Sequence, residues 1–128
     1  MRLLLDTHVA LWAIADSRAL PARARALLLD PTNEVYASAA SIWEIAIKHG
    51  LDRGAMPISA PDALSCFRQA GFHFLAITPE HAARVEALPP YHRDPFDRIL
   101  VAQALTEPLR LVTHDRVIAS YDASILSV

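Results

Sequence analysis

The chain has 128 residues, 53% of them hydrophobic and 20% charged, with a formal net charge of -2. That length supports a hydrophobic core, the composition excludes a disordered chain, and the charge excludes a globally basic field that would announce a nucleic-acid ligand. A lone cysteine, Cys66, excludes an internal disulfide and a cysteine zinc cluster, and is compatible with a reducing compartment.

In chain order, residues 2–6 ("RLLLD") form a continuous apolar run ending in a carboxylate, which predicts a strand buried on both faces of a parallel sheet. The start superficially mimics a secretory signal, but Asp6 and His8 interrupt its apolar stretch. Residues 8–15 read as a helix, as do residues 19–30, with Pro21 near the start. Residues 34–38 are a second strand, and residues 41–50 a helix closed by Gly50 as its C′ residue. Gly54 and Pro57 mark residues 51–59 as a loop. A helix over 61–71 ends at Gly71, an aromatic strand covers 72–77, and Pro79 and Glu80 open a helix over 79–88. After the rigid "PPYHRD" loop, residues 95–107 are helical up to Pro108. A buried strand over 109–113, a short helix over 115–121 and a last strand over 124–128 complete the chain.

Strands alternate with helices throughout, with no internal repeat or linker. The expectation is an α/β fold, one domain over residues 1–128, with a parallel sheet covered by helices on both faces. No apolar run is long enough to span a bilayer, so a soluble cytoplasmic protein is expected. Ligands of such sheets bind outside the carboxyl ends of the strands, and chemistry is sought there.

Four acids fall at or near those ends. Asp6 either caps the following helix or acts chemically. Thr7 could cap instead, and a carboxylate ending an all-leucine run needs partners or a cation when buried, so function is favoured. Glu44 forms a capping box with Ser41 and an i,i+4 pair with Lys48. The same three residues make a narrow polar stripe on an otherwise apolar helix, facing either solvent or a polar cleft. Both readings stand. Asp94 precedes Pro95 and is the natural N-cap. Asp97 then lies in the first turn, where its charge suits the helix dipole. The cap is already supplied, however, and the helix beyond is apolar on most sides, which sets Asp97 at the rim of the core. Asp115 either caps a short helix or projects from a strand end beside Thr113. On a parallel sheet Asp6, Glu44, Asp97 and Asp115 converge on one edge. Clustered carboxylates raise one another's pKa. A divalent cation removes that conflict, and oxygen ligands without a Cys or His cluster point to Mg²⁺ or Mn²⁺ rather than zinc.

The segments "LLLDTHVALW", "SAASIWEIAIK", "HRDPFDRILVAQA" and "LVTHD" resemble, in order and spacing, the PIN domain. Within that superfamily the chain resembles a VapC-type toxin ribonuclease of bacterial type II toxin–antitoxin systems, over nearly its whole length. The resemblance implies a three-layer α/β/α sandwich with a central parallel sheet, and an endoribonuclease that hydrolyses RNA phosphodiester bonds with Mg²⁺ or Mn²⁺. Carried over by position, Asp6, Glu44, Asp97 and Asp115 are its catalytic and metal-binding acids. Asp6 and Asp97 would bind directly, Glu44 and Asp115 directly or through water, and Asp94 lies outside the quartet. Thr7 and Thr113 match small polar neighbours that orient carboxylates or water. The resemblance further implies a homodimer, an inactivating VapB-type antitoxin, and operator DNA contacted only through that antitoxin. A short apolar groove near the site would suit an antitoxin helix or tail.

Two other classes remain open. An α/β phosphohydrolase also places an Asp after its first strand, but the haloacid dehalogenase type needs a second Asp two residues later, where this chain has His8. A non-catalytic protein-binding domain would use its acids structurally, against which stands the complete quartet. His8, His92 and His114 flank three of the acids in no zinc spacing and are read as supporting the carboxylates or contacting RNA. Arg93, Arg98 and Arg116 are read as balancing the carboxylates rather than binding phosphates. Trp12, Trp43 and Phe96 are read as core or interface residues rather than base-stacking platforms. Cys66 has no nucleophile context, and no Gly-rich phosphate loop or G-x-S-x-G elbow occurs.

Overall fold

The computed structural model describes residues 1–51 and 56–128, so the Gly54 part of the expected loop lies outside the described residues. The first strand, β1 (Arg2–Leu5), shows why the sheet is parallel and internal. Leu3, Leu4 and Leu5 are all fully buried, and their alternating side chains enter different cores. Leu3 and Leu5 join Val9, Ile45, Phe67 and Val112. Leu4 joins Leu100, Val101, Leu111 and Ile118 on the opposite face.

The remaining elements are α1 (Thr7–Ile14), α2 (Ala22–Leu29), β2 (Glu34–Ser38), α3 (Ala39–Leu51), α4 (Ala60–Gln69), β3 (His73–Leu75), α5 (Pro79–Arg84), α6 (Pro95–Thr106), β4 (Arg110–Thr113), α7 (Arg116–Ala119) and β5 (Leu126–Ser127). The five strands lie in the order β3-β2-β1-β4-β5, every pair parallel. Leu4 stands opposite Tyr36 on one side and Leu111 on the other. The chain runs outward from β1 to β3, then returns to add β4 on the far side of β1. The strand order therefore switches between β1 and β4, and the crevice for a ligand opens at their carboxyl ends. Among the described residues no helix is long and apolar enough to cross a membrane.

Several local expectations are corrected. Helix α3 starts at Ala39 and includes Gly50, so Ser41 is not its cap and Gly50 does not end it. Ser41 Oγ instead meets Thr7 Oγ1 at 2.9 Å, tying α3 to α1. Asp6, not Thr7, caps α1 through its bond from Val9 N–H. By contrast Gly71 follows α4 with φ of 82°, the left-handed conformation that lets glycine end a helix. The helix expected over 79–88 is α only to Arg84 and then tightens to a 3₁₀ turn over Val85–Ala87.

Two buried polar side chains fix α6. Gln103 Oε1 accepts from Ser38 Oγ at 2.6 Å and Gln103 Nε2 donates to Ala76 O, so the helix is pinned beyond the ends of β2 and β3. His81, fully buried, receives Thr78 N–H at Nδ1 and meets Glu107 through Nε2, joining α5 to the end of α6. Among the described residues Arg98 pairs with no carboxylate. Its guanidinium donates to the carbonyls of Val85 and Pro89 and to the Tyr121 hydroxyl, at 2.9–3.1 Å, and so moors the 85–92 connection to α6. Lysine offers a point charge without that planar fork. Arg98→Lys should therefore lower stability by about 1–3 kcal/mol, the loss expected for hydrogen bonds to a charged group. Urea unfolding measures it, and an unchanged midpoint would contradict the mooring role.

Candidate active site

Every sequence-predicted acid is found at the switch crevice or in the helices that border it. Asp6 leaves β1 with only 4% of its surface exposed. One of its oxygens accepts from Val9 N–H at 2.8 Å and the other from the Thr113 hydroxyl at the end of β4. Capping and a role in the cleft are thus not alternatives for this residue, because a carboxylate has two oxygens. Burial raises the Asp6 pKa, against the lowering pull of these two bonds.

Glu44 resolves the question of its stripe. It faces inward at 1% exposure. Its Oε2 takes Lys48 Nζ at 2.5 Å, and its buried Oε1 has no hydrogen-bond partner among the described residues. The Lys48 ammonium loses solvation there, but the Glu44 carboxylate outweighs that and raises its pKa.

At the head of α6, Asp94 accepts from the backbone N–H groups of Phe96 and Asp97, and Pro95 opens the helix as expected. Asp97 points to the other acids. Burial first, then the charges of Asp94 and Glu44, push its pKa from 3.8 to about 7, with Asp6 adding to the rise and His92 opposing it. Asp115 caps α7 through Val117 and Ile118 N–H. Burial alone would raise its pKa, but the bonds from His92 and from those two amides lower it. Burial, with a smaller push from neighbouring acids, therefore raises Asp6 and Asp97, whereas Asp115 is lowered.

His92 supports two of the carboxylates, one of the two roles its place among the acids suggested. Its Nε2 lies 3.1 Å from Asp115 Oδ2 and 3.3 Å from Asp97 Oδ2. Asp94 N–H donates to its Nδ1 at 3.1 Å, so in the neutral ring the hydrogen sits on Nε2, directed at the two carboxylates. The signal in the sequence was its place two residues before the Asp94 cap.

Residues of other kinds also depart from expectation. Thr113 orients Asp6 as expected, whereas Thr7 bonds Ser41 rather than a carboxylate. Trp43 is 56% exposed, edge-on to Phe96, and is no core residue. Arg93 and Arg116 are exposed. Next to the acids, an apolar groove of about 330 Å³ runs past Leu11, Trp12, Ile14, Met56, Ile58 and Cys66.

The donor set fits a hard divalent cation. It is made chiefly of carboxylate oxygens, one of them buried without a donor among the described residues, and burial with the charge of neighbouring acids raises the Asp97 pKa to about 7. Among the described residues His92, Asp97 and Asp115 each offer a ligand atom within 4.8 Å of the others, whereas Asp6 and Glu44 stand outside that group.

The PIN domain family model matches residues 3–124. Among curated proteins, Ribonuclease VapC22 of Mycobacterium tuberculosis is 35% identical over 121 residues, covering 92% of this chain and 90% of the relative. Among solved structures, VapBC2 from Rickettsia felis, bound to a DNA fragment from its promoter, superposes with a TM-score of 0.71 at 13% identity, covering 100% of this chain and 98% of that one. A toxin–antitoxin complex from Klebsiella pneumoniae gives 0.64 at 19% identity, covering 98% and 96%. The two structures bear out the expected three-layer α/β/α fold.

The Asp97 shift sets a pH dependence. Between pH 3.8 and about 7 the folded protein holds a proton on Asp97 that the unfolded chain has released. Stability in EDTA should therefore fall as pH rises through that window, by at most ~1.4 kcal/mol per pH unit. Thermal unfolding of the wild type and of Asp97→Asn across the window tests this. The slope should flatten in the variant, and identical slopes would contradict the assignment.

Proposed function

The chain belongs to the PIN domain family, and on that premise we propose that it is a VapC-type endoribonuclease, hydrolysing RNA phosphodiester bonds with Mg²⁺ or Mn²⁺. The observation that carries the reading is the convergence of Asp6, Glu44, Asp97 and Asp115 at the β1–β4 switch, with Asp97 raised to about 7 and Glu44 Oε1 lacking a donor. A bound cation would supply Lewis acidity toward the attacking water and the phosphoryl oxygens. Asp6 and Asp97 would hold it directly, and Glu44 and Asp115 would complete the shell. The Thr113 hydroxyl fixes the rotamer of Asp6. Lys48 tethers one oxygen of Glu44 and leaves the other aimed inward. The His92 N–H aligns Asp97 and Asp115, and is itself aligned by the backbone at Asp94.

In this reading residues 1–128 act as one domain in the cytoplasm, as a homodimer restrained by a VapB-type antitoxin through which operator DNA is reached. The complexes named among the structural neighbours support an antitoxin partner. The apolar groove beside the acids suits an amphipathic segment of it.

Two experiments test the proposal. RNA cleavage by the purified protein should vanish in EDTA and return with Mg²⁺ or Mn²⁺. Asp97→Asn should lower it at least ~100-fold, beyond what loss of a supporting residue costs. Asp94→Asn should spare it, because asparagine caps about as well. Metal-independent cleavage, or full activity of Asp97→Asn, would sink the mechanism. In cells, expression alone should arrest growth and co-expression with the cognate small antitoxin should relieve the arrest. Normal growth at high levels of active protein would refute the toxin assignment and leave the nuclease chemistry standing.

A further inference from the structure

A second cavity shares a wall with the acids. It is a cleft of about 260 Å³ lined by Asp6, His8, Trp12, His114 and Asp115. The Trp12 indole packs partly on the core and otherwise lines this cleft. Two exposed imidazoles stand around it, His8 at 6.1 Å between ring centroids and His114 at 5.8 Å, tilted by 53° and 70°. His114 Nδ1 lies 2.6 Å from Val128 O. That oxygen only accepts, so in the neutral ring Nδ1 carries the hydrogen and Nε2 keeps its lone pair.

The chemistry of the lining narrows the occupant. Apart from Asp6 and Asp115, assigned above to the cation, its described lining is an indole and two imidazoles, with neither Lys nor Arg. A neutral planar ring with N–H groups suits it, because the indole supplies a stacking face and the imidazole an acceptor. We propose that this cleft is a nucleobase subsite, where an unpaired base next to the scissile phosphate stacks on Trp12 while His114 Nε2 accepts one of its N–H groups. Trp12 would then serve the cleft as well as the core against which it packs, as the sequence leads one to expect. The inference rests on the ribonuclease reading and deepens it, since the subsite would select single-stranded RNA whose bases are free to turn outward.

The test is a scan of single-stranded RNA oligonucleotides, each with one abasic nucleotide at a successive position around the cleavage site. Removing the base at one position should raise KM for the wild type by roughly 5- to 100-fold, the range of base–aromatic stacking. Trp12→Leu should show the raised KM with intact RNA and no further loss with the abasic one. Trp12→Phe should recover part of the effect, and His114→Ala should blunt discrimination among bases at that position alone. Mn²⁺ affinity, measured by titration, should be unchanged in Trp12→Leu. If RNA is cleaved with no position-specific penalty in the wild type, a scan that needs no variant, the subsite is refuted. A penalty that persists undiminished in Trp12→Leu refutes it equally, and either result leaves the cleft to a partner's side chain, such as a guanidinium. If the metal-loaded wild type cleaves no RNA at all, the ribonuclease reading fails and the subsite with it.

Discussion

A strand buried on both faces must bring its chain back to polar surroundings at its carboxyl end, and in this protein that end is Asp6. Leu3, Leu4 and Leu5 of β1 are fully buried, and β2 and β4 flank the strand on either side. The first residue free of the sheet therefore emerges at the strand-order switch. Position and chemistry follow together. Asp6 takes one donor from the helix it starts and another from the neighbouring strand through Thr113, so its carboxylate is fixed by the same atoms that fix the fold.

Around that point the structure concentrates negative charge and offsets it in pieces. Lys48 holds one oxygen of Glu44, the His92 N–H lies between Asp97 and Asp115, and backbone amides serve Asp94 and Asp115. Among the described residues the compensation is incomplete at two of these acids. One oxygen of Glu44 lacks a donor and Asp97 is driven toward neutrality. Desolvated carboxylates without a counter-charge are costly to keep in a folded protein, and a cation is the physical remedy that fits the oxygens present.

Much of this was legible in the sequence where the controlling interaction is local. Pro95 fixes the first position of α6, so Asp94 and Asp97 separate into cap and cleft residue on sequence alone. The apolar run of β1 and the order of elements likewise follow from short-range pattern. Legibility fails where long-range partners decide. His92 meets Asp115 from 23 residues away, and nothing in its neighbours announces that contact. Arg98 sits beside an acid in sequence yet turns to backbone carbonyls brought near by the fold. The Ser41–Glu44 pair matches a capping box, but the helix begins two residues earlier, and packing against Thr7 claims the serine. Asp6 was ambiguous for another reason: capping and cleft chemistry use different oxygens of one group.

The indole of Trp12 has a consequence of its own, because it and His8 line both the apolar groove and the acidic cleft. Two cavities with a common wall are coupled only when an occupant shifts that wall. Any occupant of the groove that prefers one orientation of that ring alters affinity in the cleft, and the cleft's occupant alters affinity in the groove by the same factor. With the ring unmoved, the two chambers fill independently. Trp12, in the second turn of α1, and His8 are thus the side chains through which such coupling would pass.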